Sequence, residues 1–331
     1  MRDEVLLKPN SMHHDFKKYL VDLEQASACE EVEIIQSLWS GYGTISRYKL
    51  EGAGHDTVVV KCISSPEVMA HPRGWNTDKS HARKAKSYEV ETHWYTHFNQ
   101  LTNTMCRTPE FLGAYAAGDN QWIVLEDLDA NFPLRKQELS LSEVKVCLQW
   151  LANFHATYLG DKPSGLWEIG SYWHLATRPE EWNKTEHPEL KSKAHRIDEM
   201  LNNCIHQTLI HGDAKVANFC FSEDSKEVAA VDFQYVGGGC GMKDVAYLLG
   251  SCMSGDDCRK YERELLDYYF SELKYGMGTL ADSTAIEAEW RQMYPLAVAD
   301  FMRFLLGWMP THSKVNVYSL NLTEEVLIRL T

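Results

Sequence analysis

Residues Leu209–Gln234 read LIHGDAKVANFCFSEDSKEVAAVDFQ, and the reading of the whole chain turns on them. Two apolar runs, Thr208-Leu209-Ile210 and Val228-Ala229-Ala230-Val231, open and close the stretch. Short apolar runs bounded by turn residues predict two small buried strands. Between and beside them stand His211, Asp213, Lys215, Asn218 and Asp232. These residue types suit phosphoryl transfer. A carboxylate at Asp213 can accept the proton of an attacking hydroxyl. The amide oxygen of Asn218 and the carboxylate of Asp232 can hold magnesium, a hard cation that takes oxygen ligands. Lys215 can steady the charge of the moving phosphoryl group. Such transfers rest on positioning and charge neutralisation more than on covalent chemistry. A polar strand-turn-strand segment with a capping aspartate accounts for one or two of these residues, but not for all five in this order.

The run His211-Gly-Asp-Ala-Lys-Val-Ala-Asn218, followed by Asp232-Phe-Gln234, resembles the catalytic and metal motifs of the protein-kinase-like fold. It is most similar to the small-molecule branch: aminoglycoside phosphotransferases, choline kinases and ecdysteroid-kinase-like enzymes. Protein kinases carry H-R-D-x-K-x-x-N and D-F-G at these places. Gly212 in place of Arg, and Gln234 in place of Gly, both favour the small-molecule branch. The resemblance implies Asp213 as base, Lys215 as phosphate contact, and Asn218 and Asp232 as ligands of Mg2+, with ATP as donor. It also implies an α+β, two-lobed fold. Residues 1–126 form a five-stranded antiparallel sheet with one helix, and residues 127–331 a mostly helical lobe with catalytic loop and acceptor pocket.

The totals are compatible with this. A chain of 331 residues, 44% hydrophobic and 24% charged, can bury one large or two medium cores as a soluble globular protein. Its net charge of -14 argues against wrapping nucleic acid or adhering to anionic membrane. The nine cysteines are scattered, with no C-x-x-C pair. The N-terminus lacks a signal-peptide apolar core, and no run approaches membrane-spanning length. A reduced, cytoplasmic location is therefore expected.

In the N-terminal third, 32–39, 45–50 and 57–63 read as strands, the first two joined by Ser40-Gly-Tyr-Gly-Thr44. Gly41 and Gly43 alone describe any tight hairpin. With a strand ending near Lys61 they also match a phosphate-covering loop, where glycines let the backbone approach and the lysine reaches phosphate oxygens. Lys61 in an apolar strand needs a counter-charge. Glu91 is chosen for that role over Glu89, because Tyr88, Trp94 and Tyr95 flank it at helical spacing on a helix expected over 80–98. The segment from Met69 to Lys79, rich in Pro, Gly, His and Asn, reads as an exposed loop. Strands at 111–117 and 122–126 complete the sheet. Glu126-Asp127-Leu128 then resembles the superfamily's hinge, where Glu126 and Leu128 offer backbone groups to adenine.

Farther on, Ser140-Leu-Ser-Glu143 has capping-box form and opens a helix through Tyr158. His155 lies on its apolar stripe and reads as a hydrogen-bonded core histidine. Residues 166–188 carry Trp167, Tyr172, Trp173 and Trp182 among glutamates, a set that suits either an amine-binding box or simple packing. The run Gly237-Gly-Gly239 is no Walker loop, because no Gly-Lys-Ser/Thr follows it. Only about a dozen residues separate Asp232 from a helix beginning near Asp244, too few for a peptide-docking activation segment, so a small-molecule acceptor is expected. Asp244 reads as a brace for the catalytic loop. Asp282 is expected to cap a helix over 285–306 that Pro295 kinks. Tyr235, Asp300 and Trp308 are candidates for acceptor contact. Two rival readings stand beside the kinase: a nucleotide-binding pseudokinase with a scaffold role, and a metal-dependent hydrolase built on His211, Asp213 and Asp232. The acceptor class stays open among amino sugar, choline-like alcohol and hydroxylated steroid or lipid.

Overall fold

A computed structural model describes residues 9–38, 41–64, 78–279 and 282–331, with the side chains of 9–12 and 78–79 excepted. The loop read from Met69 onward therefore lies, up to residue 77, outside the described residues, as does Trp39 at the end of the first expected strand. The chain forms two compact units. The first takes the described residues within 1–88, 95–99 and 109–130, and the second those within 89–94, 100–108 and 131–331.

The first unit opens with α1 (Pro9–Glu24), followed by β1 (Ala28–Ser37), β2 (Gly43–Glu51) and β3 (Thr57–Ile63). After α2 (Asp78–His97) come β4 (Phe111–Ala117) and β5 (Asn120–Glu126). The five strands form one antiparallel sheet in the order β1-β2-β3-β5-β4, as expected. Side chains alternate across a strand, so Val58 and Val60 share one face and Lys61 the other. That first face packs with Phe16 and Leu20 of α1 and with Tyr48, Leu50, Trp122 and Val124. The rings of Phe16 and Trp122 stack at 5.1 Å. The sequence reading missed α1 entirely. Its signal is Phe16, Tyr19, Leu20 and Leu23 at three- and four-residue steps, diluted by the lysines and histidines between them.

The second unit holds the middle of α2 and then β6 (Leu134–Arg135), α3 (Leu141–Thr157), α4 (Pro179–Lys184) and α5 (Pro188–Asn202). It continues with β7 (Thr208–Ile210), β8 (Phe219–Phe221), β9 (Val228–Ala230) and β10 (Gly237–Gly239). Four helices finish it: α6 (Met242–Cys252), α7 (Gly255–Met277), α8 (Ser283–Trp308) and α9 (Val317–Arg329). The expected strands at 208–210 and 228–230 are both present and buried, but in different sheets. β7 pairs with β10, while β8 lies between β6 and β9. The stretch from His211 to Asn218 is thus the connection from one small sheet to the other.

Helix starts follow the sequence closely. Ser140 and Glu143 form a reciprocal capping box on α3. Asp282 caps α8 by accepting from the backbone N–H groups of Thr284 and Ala285, and the helix runs on through Pro295. Trp150, Trp173, Trp290, Phe154 and Phe219 are fully buried and make the core of this unit. Trp94 stacks on Phe233 at 4.7 Å, which fixes the residue after Asp232 against α2.

Candidate active site

The loop after β7 is pinned from beneath by Asp244. One carboxylate oxygen, Oδ2, accepts from the backbone N–H of His211 (2.6 Å) and from His155 Nε2 (3.2 Å). The other, Oδ1, accepts from the N–H of Gly212 (2.9 Å). His155 is itself held at Nδ1 by the Tyr269 hydroxyl (2.7 Å), and all three side chains are buried. A buried carboxylate with three donors is a satisfied charge, and it sets the position of two successive loop residues. His155 is therefore both a core histidine and a support for the loop.

Gly212 has a φ of +78°. A Cβ there would lie 2.1 Å from the carbonyl oxygen of Tyr235 and 2.7 Å from the nitrogen of Ser171. Only glycine fits, so an arginine side chain at this position is sterically impossible here. His211 donates from Nε2 to the carbonyl of Val231 (3.1 Å) and accepts at Nδ1 from the N–H of Asp213 (3.3 Å), which fixes its tautomer.

Asp213, Lys215 and Asn218 come together. Lys215 Nζ donates to Asp213 Oδ2 at 2.8 Å. Asn218 Nδ2 donates to the Asp213 carbonyl (2.8 Å) and to its Oδ2 (3.2 Å). Burial alone would lower the pKa of Lys215, but Asp213 and then Asp232 outweigh it and hold the ammonium above its usual value. The two carboxylates therefore act on one lysine. Asp232 has a φ of +71°, uncommon for a residue with a side chain, and such strain is characteristic of functional positions. The N–H of Val231 just before it donates to the carbonyl of Asn218 (3.0 Å), tying the two halves of the motif together.

With its Nδ2 given to Asp213, the Asn218 amide presents its oxygen as an acceptor. An amide oxygen and the carboxylate of Asp232 are the hard oxygen donors that Mg2+ takes, the rest of its octahedron going to phosphate and water. Among the described residues no three His, Cys, Asp or Glu side chains gather into a metal cluster. The donor set fits a cation shared with a phosphate better than a cage made by protein alone.

Beside the loop lies an aromatic wall. Tyr235 stacks on Trp167 (6.2 Å) and meets Tyr172 edge-on (5.9 Å), and Tyr172 meets Tyr247 at 5.5 Å. Burial, then each other and Asp213, keep the Tyr247 hydroxyl well above its ordinary pKa. Of the four aromatic residues singled out between 166 and 188, Trp167 and Tyr172 belong to this wall. Trp173 is buried, donating to Asp300, and Trp182 packs on His195 at 5.0 Å. Asp300 sits inside the fold: it takes two bonds from Arg303 and one from Trp173, and is 1% exposed. Trp308 stacks on Phe304 at 5.4 Å at the end of α8.

The glycine run of β10 packs closely, since a Cβ on Gly237 would meet the Trp167 carbonyl at 2.2 Å. The segment between Asp232 and α6 is thus consumed by pairing with β7. Sequence reasoning missed Tyr247, Ser251 (which accepts from the Val216 N–H at 3.3 Å) and Lys314. Tyr247 follows Asp244 on the buried face of α6, which is a usable signal, whereas Lys314 lies in an interhelical loop and gives none.

In the first unit, Lys61 is 4% exposed and lies over the Tyr88 ring at 5.6 Å, on the sheet face away from α1. Glu91 is 1% exposed, while Glu89 is on the solvent side of α2. Gly41 and Gly43 both have positive φ, and a Cβ on Gly43 would strike the Cys62 carbonyl. At the expected hinge, the Glu126 carboxylate accepts from the Glu110 N–H (2.9 Å) and Leu128 is buried. Asp127 between them accepts from Arg47 Nε (2.6 Å) and Thr57 (2.8 Å), and Arg47 also binds Glu33 and Asp129.

Comparison with known proteins adds the class. The model of the ecdysteroid kinase-like family matches residues 173–281, which include the loop from His211 to Asn218. No curated protein sequence matches the chain. Among solved structures, a type VIII aminoglycoside-3'-phosphotransferase is 15% identical, with 85% of this chain and 98% of that one covered and a TM-score of 0.44. The aminoglycoside phosphotransferase APH(3'')-Id of Streptomyces rimosus, solved with ADP and streptomycin, is 13% identical, with 86% and 98% covered and a TM-score of 0.41. Overlaps this shallow carry nothing about chemistry or acceptor. The family match and the motif geometry support the small-molecule branch of the protein-kinase-like fold, and they indicate a small-molecule kinase-like phosphotransferase.

Proposed function

We propose that this chain is an ATP- and Mg2+-dependent kinase that phosphorylates a hydroxyl group of a small molecule. The observation that carries the reading is the bonded set of Asp213, Lys215 and Asn218, held from below by Asp244. Asp213 accepts the hydroxyl proton as attack begins, and its buried, hydrogen-bonded carboxylate is oriented for that. Lys215 neutralises charge on the transferring group. Asn218 and Asp232 hold the metal. Bound ATP supplies the phosphoryl group, and the Mg2+ on it spreads the negative charge. Lys61 of the first unit serves the nucleotide phosphates, and the buried Glu91 is the candidate for its counter-charge. Gly41 and Gly43 cover the phosphates, and the backbone of Glu126 and Leu128 receives the adenine. Tyr235, on the aromatic wall, contacts the acceptor.

The test is ADP release across a panel of hydroxylated metabolites, comparing wild type with Asp213→Ala. Loss of a general base lowers kcat by about 10²–10⁴-fold. A variant as fast as wild type on a turned-over alcohol would remove the assignment. Nucleotide binding without transfer to any member of the panel would favour the non-catalytic reading instead.

A further inference from the structure

Lys314 is unassigned by anything above. It lies on the loop between α8 and α9, and its backbone is fixed at both ends. Its N–H donates to His312 Nδ1 (3.1 Å), and its carbonyl accepts from the Ser319 hydroxyl (2.8 Å). The Asn316 capping box begins α9 just beyond. So the loop is a built feature, and its lysine stem has a set point of departure.

The ammonium rests 4.2 Å from the centroid of Tyr247 and 5.4 Å from that of Phe301. Tyr247 is also a member of the aromatic wall that runs through Tyr172 to Tyr235, whose carbonyl touches the catalytic loop at Gly212. Among the described residues no carboxylate comes within ion-pairing distance of Lys314. Other half-buried lysines of the second unit, Lys136, Lys145 and Lys215, have ion pairs, and Lys191 and the buried Lys243, which lack them, donate to the carbonyls of Asn183 and Gly170. The charges that act most on Lys314 are Asp213 and Lys215 of the site, with Cys252 after them. Asp213 attracts it and Lys215 repels it, and burial brings its pKa down to about 8, so it is still mostly a cation at neutral pH.

A half-buried cation on an aromatic seat, facing the proposed base and lacking a carboxylate, is completed by an anion. The phosphoryl group already has Lys215. We propose that Lys314 is a specificity-determining residue of the acceptor site, receiving an acidic group (carboxylate, sulfate or phosphate) carried by the hydroxylated acceptor. This rests on the kinase reading and narrows it. Of the acceptor classes left open by the sequence, cationic amino sugars and choline-like alcohols would place like charge against Lys314. An acidic conjugate of a hydroxylated ring or chain would not.

The experiment uses hydroxylated aliphatic and cyclic carboxylic acids, each paired with its methyl ester and with the matching primary amine, in steady-state ADP release. Wild type should prefer the acid by at least about tenfold in kcat/KM. Lys314→Met should lower kcat/KM for the acid at least about tenfold more than for the ester, through KM rather than kcat. Lys314→Arg should restore most of the preference, which guards against a variant that merely folds poorly. Lys314→Glu should turn the preference toward the amine. Equal losses for acid, ester and amine would overturn the inference while leaving the kinase intact, as would a wild type indifferent to the acceptor's charge. If wild type transfers to no compound of the panel, both readings fall together.

Discussion

Gly212 shows how one residue can decide which branch of a fold a sequence can follow. Its backbone is left-handed, and the Tyr235 carbonyl occupies the space of a Cβ. Gly212→Ala must therefore accept αL strain and push a buried backbone, each worth about 1–3 kcal/mol. We expect roughly 3 kcal/mol in total, which lowers Tm by about 4–6 °C in a chain of this length, and a fall in activity because Asp213 is the next residue. Thermal unfolding checks it: a variant melting with wild type would show that the loop relaxes freely. At this scale the sequence was most readable where neighbours in the chain are neighbours in space. His211 to Asn218 lie on one short loop, and Asp232 is tied back to it by a single backbone bond. The aromatic wall was much less readable. Tyr172, Tyr235 and Tyr247 meet from separate segments, and Lys314 reaches Tyr247 from the loop after α8, so no spacing rule spans such separations. Asp300 illustrates the converse: an acidic residue on an apolar helix looks like a ligand for substrate, and here it is bound internally by Arg303 and Trp173.

Elements with strong local punctuation were legible, and those without it were not. α3 begins where Ser140 and Glu143 say it should, because the box satisfies two orphan N–H groups at once. Lys136 adds a charged hydrogen bond to Glu143 and, with the Ser140 donors, holds its pKa down to about 2. The sign follows from that depression. The contribution of Glu143 is fully present above its ordinary pKa of 4.5 and disappears as pH falls through about 2. Ser140→Ala should cost about 1 kcal/mol at neutral pH. Glu143→Gln should flatten the acid limb of stability between these two pH values. Urea melts at pH 7, 4 and 2.5 would measure it, and a wild-type-like slope in the variant would refute the linkage. α1 is the contrasting case: its apolar face is legible only once the sheet it covers is known. β1 is a related case. It begins at Ala28, well before the apolar residues that mark it, and two register shifts interrupt its ladder with β2. Val32, Ile34 and Ile35 are exposed on this edge strand, so alternation of buried and exposed positions could not set its limits.

For the whole molecule the governing quantity is charge. The sequence holds 47 acidic and 33 basic residues, a net of -14. Compaction forces that excess together, and the repulsion is long-ranged enough to be screened by salt. Opposing it are local ion pairs, which salt weakens. Many of these are exposed, such as Arg196–Glu199, Arg263–Asp267 and Arg329–Glu325, and pairs of that kind are worth about 0–1 kcal/mol each. The buried pair Arg303–Asp300 is shielded from salt and contributes nothing to the dependence. The general repulsion should therefore win. We expect Tm to rise by about 2–3 °C between 20 mM and 300 mM NaCl, and potassium chloride to act like sodium chloride because the effect is one of screening. A fall in Tm over that range would mean that the ion pairs, the part-buried Arg47 cluster with Glu33, Asp127 and Asp129 foremost, work as a network rather than one by one. In that case Arg47→Met should abolish the fall and leave the rise.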